Sequence, residues 1–344
     1  MKIFFAGLEN DHYDPKKGKT FEYNNFYLQL TALNHDLTFI PFDQIITKGK
    51  AKFNRDLVSL IKTEKPDLFF SFMYTDELAF ETLKEIKRYT TSLAWFADDH
   101  WRLETYSRFY APHFTWNITT WSKAIEKYAD YGITNIIRSQ WACNSSVYKP
   151  IETSKDIDVS FAGMRSTARE KMVRGISKYG LSIFLTGFGW DTPRLKIEEL
   201  VRLFSRSKIN LNLNPPTSSL DLKSLGQICF RKSITKIVPD FRLTKNTRAY
   251  LDKKIPQIKA RPFEVAGCGG FCISGKADDI ENYYVPDKEM VFYNSIEDLV
   301  DKIRYYLDHD EERERIALAG YKRTQEEHTY EKRFESIFTK IGLK

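Results

Sequence analysis

Short apolar runs and amphipathic stretches alternate along this chain, and the alternation starts afresh near its middle; no other feature narrows the fold so far. KIFFAG, residues 2–7, is apolar and ends in glycine, as the first strand of an open α/β sheet does. Further strand-like runs fall at 37–41, 68–73, 92–96, 114–118 and 135–138. Helical periodicity fills the gaps at 21–33, 51–63, 76–88 and 122–131. Strands separated by helices in this way pair in parallel, with both faces of the sheet covered. The stretch YKPIETSKD, residues 148–156, carries Pro150 and no hydrophobic period, and reads as a domain boundary. Beyond it the pattern restarts, with strands at 157–162, 181–185 and 209–213 and helices at 167–179 and 197–205. A last strand at 290–293 precedes three closing helices, near 295–307, 311–326 and 330–341. At 344 residues the chain has room for two such domains.

Composition removes several classes. No run approaches the roughly 18 apolar residues that a membrane span needs. The N-terminal apolar run is only a few residues long before the chain turns acidic, which fits a first strand and not a signal peptide. The four cysteines (Cys143, Cys229, Cys268, Cys272) show no zinc-type spacing. A reducing, cytoplasmic setting is the expectation, with Cys268 and Cys272 as small buried apolar residues. The 53 basic and 46 acidic side chains leave a net charge of +7, compatible with an anionic substrate or a membrane surface and diagnostic of neither.

Chemistry-bearing residues gather in a few places. KARPFEVAGCGGFCIS, residues 259–274, combines Lys259, Arg261, Glu264 and three glycines with an apolar run. It predicts a short helix from about Pro262, ended by Gly267 and followed by a buried strand. A helix start flanked by Lys259 and Arg261 suits a phosphate or diphosphate, with Glu264 placed to meet a ligand hydroxyl. An amphipathic turn with a solvated Glu264 satisfies the same residues. Residues 157–179 form a strand, the turn Gly163-Met164-Arg165-Ser166 and a helix: a phosphate cradle without the full dinucleotide fingerprint. There Arg165 would add charge, while Arg169 would add charge or face solvent. In WFADDHW, residues 95–101, a buried strand runs straight into Asp98, Asp99 and His100, at the sheet edge where such folds bind ligands. One of these three would serve as a general base, or the aspartates would simply cap a helix. From 215 to 259 the alternation is lost and basic residues outnumber acids. That segment reads as a basic flap over an anionic ligand or as a solvated decoration.

At KARPFEVAGCGGF the sequence resembles the CgeB-like, spore-maturation-type glycosyltransferases, a GT-B group. The likeness runs from VSFAG (159–163) to the end, through EMVFYNSIEDLVDKIRYYL (289–307), ERERIALAGYKR (312–323) and HTYEKR (328–333). WFADDHW resembles the family's N-terminal domain more loosely. The resemblance implies an α/β GT-B fold of two Rossmann-like domains. These would be an acceptor-side domain over 1–150, a donor domain over 151–328 holding the basic insert 215–259, and a C-terminal helix over 329–344 returning to the first domain. It implies a nucleotide-sugar donor, UDP-type favoured, as substrate, with neither cofactor nor metal. Lys259 and Arg261 would meet the diphosphate, Arg165 and Gly267 would lie beside it, and Glu264 would bond the ribose or the sugar. Gly163 would let backbone approach the donor. Asp99, with Asp98 and His100 behind it, would be the base or the acceptor-orienting group. The acceptor, whether glycan, lipid-linked, protein or nucleic acid, stays open, as does the oligomeric state. The rivals are a nucleotide-sugar epimerase of similar fold and a non-catalytic glycan- or polyanion-binding protein.

Overall fold

The computed structural model describes residues 1–215 and 222–343. Among these residues thirteen strands follow in chain order: β1 (Lys2–Gly7), β2 (Asp36–Pro41), β3 (Leu68–Ser71), β4 (Thr91–Phe96), β5 (Trp116–Thr119), β6 (Ile136–Arg138), β7 (Ile157–Ala162), β8 (Phe184–Thr186), β9 (Ser207–Asn212), β10 (Phe230–Ser233), β11 (Lys236–Pro239), β12 (Cys272–Gly275) and β13 (Val291–Tyr293). The chain divides into two compact units: Met1–Gln140 with Leu220–Lys253 and Arg333–Lys344, and Trp141–Ser219 with Lys254–Lys332. The basic segment therefore packs largely with the first unit, not with the second, where the sequence pattern places it as an insert.

The first unit is built on a parallel sheet of order β2-β1-β3-β4-β5-β6. Its inner strands are buried along almost their whole length because helices cover both faces. Phe5 on β1 lies against Phe26, Phe39 and Phe70, with ring centroids 6.2, 5.9 and 5.4 Å away. Phe334, in the helix that closes the chain, packs on Phe26 and Phe70 at 5.5 and 5.9 Å. Each fully buried ring of this kind contributes about 1.5–3 kcal/mol over an exposed one. The helix expected over 76–88 shrinks to Phe80–Ile86. The cause is Glu77, whose carboxylate turns back to accept from the Thr75 backbone N–H at 2.8 Å and holds residues 75–78 out of the helix.

The second unit is a parallel sheet of order β13-β12-β9-β7-β8. The short helix predicted around Pro262 spans Arg261–Gly267 and leads into β12. Its end differs from expectation. Gly269, at φ +67°, is the left-handed residue, and its N–H donates to the Ala266 carbonyl while Gly270 N–H donates to Val265. This paired closure is a Schellman motif. Gly267 serves a different purpose. A Cβ there would lie 2.1 Å from Cys143 Sγ, so the glycine lets the helix pack against that buried thiol. Gly267→Ala is expected to cost about 1–3 kcal/mol by overpacking. Combining it with Cys143→Ala should recover most of that loss, and urea denaturation of the single and double variants measures the coupling.

Candidate functional site

In open α/β sheets ligands bind beyond the carboxyl ends of the strands, where the strand order reverses. In the second unit that point lies between β7 and β9, since β8 continues on one side of β7 and β9 opens the other. Three side chains meet there. Arg169, from the first turn of the helix Thr167–Ser177, donates from Nε to the Leu213 carbonyl at 3.2 Å and from Nη1 to the Met164 carbonyl at 2.9 Å. It thereby bridges the loops that follow β9 and β7. Burial lowers the Arg169 pKa, and the nearby positive charge of Arg261 lowers it further. Tyr293, at the end of β13, takes the Asn214 N–H on its hydroxyl at 3.4 Å and is pushed up to about 12 by burial.

Arg261 and Glu264 are tied to each other. Arg261 Nη1 donates to Glu264 Oε2 at 2.6 Å, and Glu264 is only 4% exposed. Burial and the neighbouring Glu264 carboxylate raise the Tyr148 pKa. Glu264 is thus already partnered within the protein, and its part in this arrangement is to aim the guanidinium. Lys259 makes no hydrogen bond or ion pair among the described residues. Arg165 is held away from Arg169's position, pairing with Glu170 at 3.0 Å and donating to the Gly189 carbonyl at 3.2 Å. A Cβ on Gly163 would lie 2.8 Å from the Phe161 ring, and the glycine that lets backbone come close here is Gly187. A Cβ on Gly187 would lie 2.3 Å from the Gly163 carbonyl oxygen, and Trp190 Nε1 donates to that oxygen at 2.8 Å. A concavity of about 510 Å³ lined by Asp156, Asp158, Phe184 and Trp190 lies along β7 and β8 and shares no residue with the arginine pair.

In the first unit the strand order reverses between β1 and β3. The loop after β1 carries His12 and Tyr13 at φ +57° and +63°, a conformation that costs a side-chain-bearing residue energy. Tyr13 Oη donates to the buried Glu77 at 2.6 Å, which pins that loop to the loop after β3. His12 Nδ1 lies 3.4 Å from the Tyr74 hydroxyl and 3.6 Å from Asp11 Oδ1. Burial lowers the His12 pKa, Asp11 opposes the shift, and Lys232 and Lys17 reinforce it. No motif announces His12; its signal is the strained backbone, which sequence does not display.

Asp98, Asp99 and His100 follow β4 as expected, with Asp98 half-buried and the other two buried. Asp99 is 1% exposed and accepts from the Tyr128 hydroxyl at 3.0 Å, so it faces the core and not an acceptor. His100 is 4% exposed. Asp98, at φ +60°, starts the short helix Asp99–Arg102 through its carbonyl, which accepts from Trp101 and Arg102.

Residues 231–339 match the family model described as glycosyl transferase-like. No curated protein matches the chain by sequence. The sucrose-phosphate synthase of Thermosynechococcus elongatus superposes with a TM-score of 0.61 at 9% identity, covering 98% of both chains. Anabaena HepE in complex with UDP-glucose superposes with a TM-score of 0.61 at 10% identity, covering 99% of both. A glycosyltransferase from Rickettsia africae gives 0.60 at 9% identity over 98% of both. The fold is GT-B. The chain thus has the architecture of a GT-B glycosyltransferase and, over 231–339, a glycosyl transferase-like sequence. Within this GT-B chain no helix among the described residues is long and apolar enough to cross a membrane.

Asp99 offers a pH test of its buried position. Burial pushes its carboxyl from 3.8 to about 6, against neighbouring hydroxyls that favour the charged form. The folded protein therefore holds this proton more tightly than the unfolded chain, and stability from this group falls as pH rises from 3.8 to about 6. Asp99→Asn should remove that slope, which unfolding free energies of both proteins across the window would show.

Proposed function

We propose that this protein is a glycosyltransferase that moves a sugar from a UDP-type nucleotide-sugar donor to a hydroxyl acceptor, without a bound metal and in a reducing, cytoplasmic setting. The observation that carries the reading is a pair of arginines, Arg169 bonded to the loops after β7 and β9 and Arg261 aimed by Glu264, whose charge is felt at Arg169. Two partly desolvated guanidinium groups near one another raise each other's free energy, and an anion beside both relieves it. A diphosphate fits that demand. As the glycosidic bond to the donor breaks, charge accumulates on the departing diphosphate, and fixed cations stabilise that state more than the ground state. The family match and the UDP-glucose bound by HepE support the same donor class. Lys259 adds charge beside the pair, and Glu264 positions Arg261.

On the acceptor side we assign the base to His12 in place of Asp99. Its imidazole is half exposed, its lowered pKa keeps it neutral and able to accept a proton, and Asp11 and Tyr74 flank it.

Arg169→Ala should weaken UDP binding roughly ten- to hundredfold, the worth of a charge-assisted contact of about 1.5–3 kcal/mol. Thermal shift with UDP, GDP, ADP and TDP reads this, and equal stabilisation of wild type and variant by UDP removes the donor assignment. Arg261→Ala is the poorer probe, because it strands Glu264 as a buried unpaired charge at about 3–5 kcal/mol. His12→Ala should lower kcat about 10²- to 10⁴-fold while leaving the UDP-dependent shift intact. Wild-type turnover should persist at full rate in EDTA.

A further inference from the structure

The basic segment folds into something the donor reading does not use. β10 and β11 form an antiparallel hairpin, FRKSITKIVP, in which Phe230 pairs with Pro239 and Lys232 with Ile237. Side chains alternate along a strand, so these four leave one face of the ribbon, while Arg231, Ser233, Lys236 and Val238 leave the other. The first face presents apolar surface to water, with Phe230 48% and Ile237 77% exposed. It also adjoins the base assigned above. Lys232 Nζ lies 4.8 Å from the centre of the Tyr74 ring, and the Tyr74 hydroxyl lies 3.4 Å from His12 Nδ1. Lys232 forms no ion pair among the described residues. The turn fixes this arrangement, for Ser233 Oγ donates to Asp76 Oδ2 at 2.9 Å and Ile234 N–H donates to Thr75 Oγ1 at 3.0 Å. The loop that carries Tyr74 thus holds the hairpin as well. Ile234 makes its bond at φ +53°, a conformation that a β-branched residue rarely adopts.

We propose that this face is the acceptor subsite and that its acceptor is an amphiphile, with a hydroxyl-bearing head at His12, a phosphodiester at Lys232 and an apolar chain along Ile237 and Phe230. The inference rests on the sugar-transfer reading and on His12 as its base. The order of side chains on the surface sets the order of groups in the ligand. Next to the imidazole and the Tyr74 ring comes the ammonium, whose three donors suit phosphate oxygens. An anionic group placed between a head and a chain must have two attachments and still carry charge, which a phosphodiester does and a carboxylate does not. Ile237 lies directly across from Lys232, and Phe230 with Pro239 forms the next layer away from the turn, about 7 Å on. A neutral glycan gains nothing from an exposed isoleucine. A nucleic acid would call on Arg231 and Lys236, which leave the opposite face. In the transfer step the acceptor oxygen bonds to the anomeric carbon of the sugar and its proton passes to the imidazole. The nucleoside diphosphate leaves with the electron pair of the bond that breaks.

The test is calorimetric titration of the full-length protein with decyl phosphate, decyl glucoside and inorganic phosphate, each kept below its micelle concentration. Decyl phosphate should bind at least about tenfold more tightly than either of the others, which each lack one of its two contacts. The paired variant F230S/I237S should weaken it by about tenfold or more, and Lys232→Gln by a similar factor. R231Q/K236Q, on the other face, should bind as wild type does, and all three variants should melt as wild type does. The imidazole NMR signal that His12→Ala removes should shift when decyl phosphate is added. Absent binding, affinity equal to that for inorganic phosphate, affinity unchanged in both F230S/I237S and Lys232→Gln, or an unmoved His12 signal each overturns the proposal. Loss of binding in R231Q/K236Q alone overturns it too, since the ligand then sits on the opposite face. Concentration-dependent dimerisation abolished by F230S/I237S, without decyl phosphate binding, overturns it in favour of a second copy. Stabilisation by UDP is scored separately. UDP stabilisation without decyl phosphate binding overturns this proposal alone, whereas no stabilisation by UDP removes the donor reading and the acceptor assignment with it.

Discussion

Two guanidinium groups whose charges act on one another in a partly desolvated crevice are a frustrated arrangement, and the second unit is organised to maintain it. Arg169 is fixed by carbonyls from two loops, and Arg261 by a carboxylate that has little contact with solvent. Neither partner can neutralise the pair: carbonyls carry no net charge, and Glu264 balances only one of the two cations. The remaining positive potential is directed at the carboxyl edge of the sheet. The parallel sheet makes this possible, because it delivers the turns after β7 and β9 and the start of the helix before β12 to the same edge.

Much of the frame is readable from residues alone, and the reason is physical. Fully apolar strands separated by amphipathic helices have few ways to satisfy their backbones, so runs such as KIFFAG and LFFS leave little freedom. The short helix at Arg261 is legible because proline near its start and glycines after its end both have steric meaning. Which glycine does which job is not. Gly267 and Gly269 are two residues apart, and only the packing of Cys143 against the helix separates close approach from left-handed turn.

The candidate site is less legible, because burial decides a charged residue's role and sequence does not print burial. Asp99 looks like a base at a strand end, yet it points inward to Tyr128. Arg169, which sequence leaves open as a solvent-facing residue, turns back beneath the two loops. The start of the helix Thr167–Ser177 shows both outcomes, for Arg165, in the turn before it, is drawn outward by Glu170 while Arg169, in its first turn, is not. His12 has no motif because its distinguishing feature is a backbone torsion. The basic segment falls to the wrong unit in sequence for a related reason: a count of charges says nothing of which loop will bond to Ser233 and Ile234.

The chain passes from one unit to the other after residues 140, 219, 253 and 332. During synthesis the first unit is therefore incomplete until the segment from Arg333 on has been made. Phe26 and Phe70 wait for Phe334 with part of their surface bare, long after their own sheet has been made. Completion of the helix that carries Phe334, and not of the sheet itself, is the moment at which that unit first closes its core. A frameshift or stop ahead of Phe334 is thereby felt in strands laid down hundreds of residues earlier.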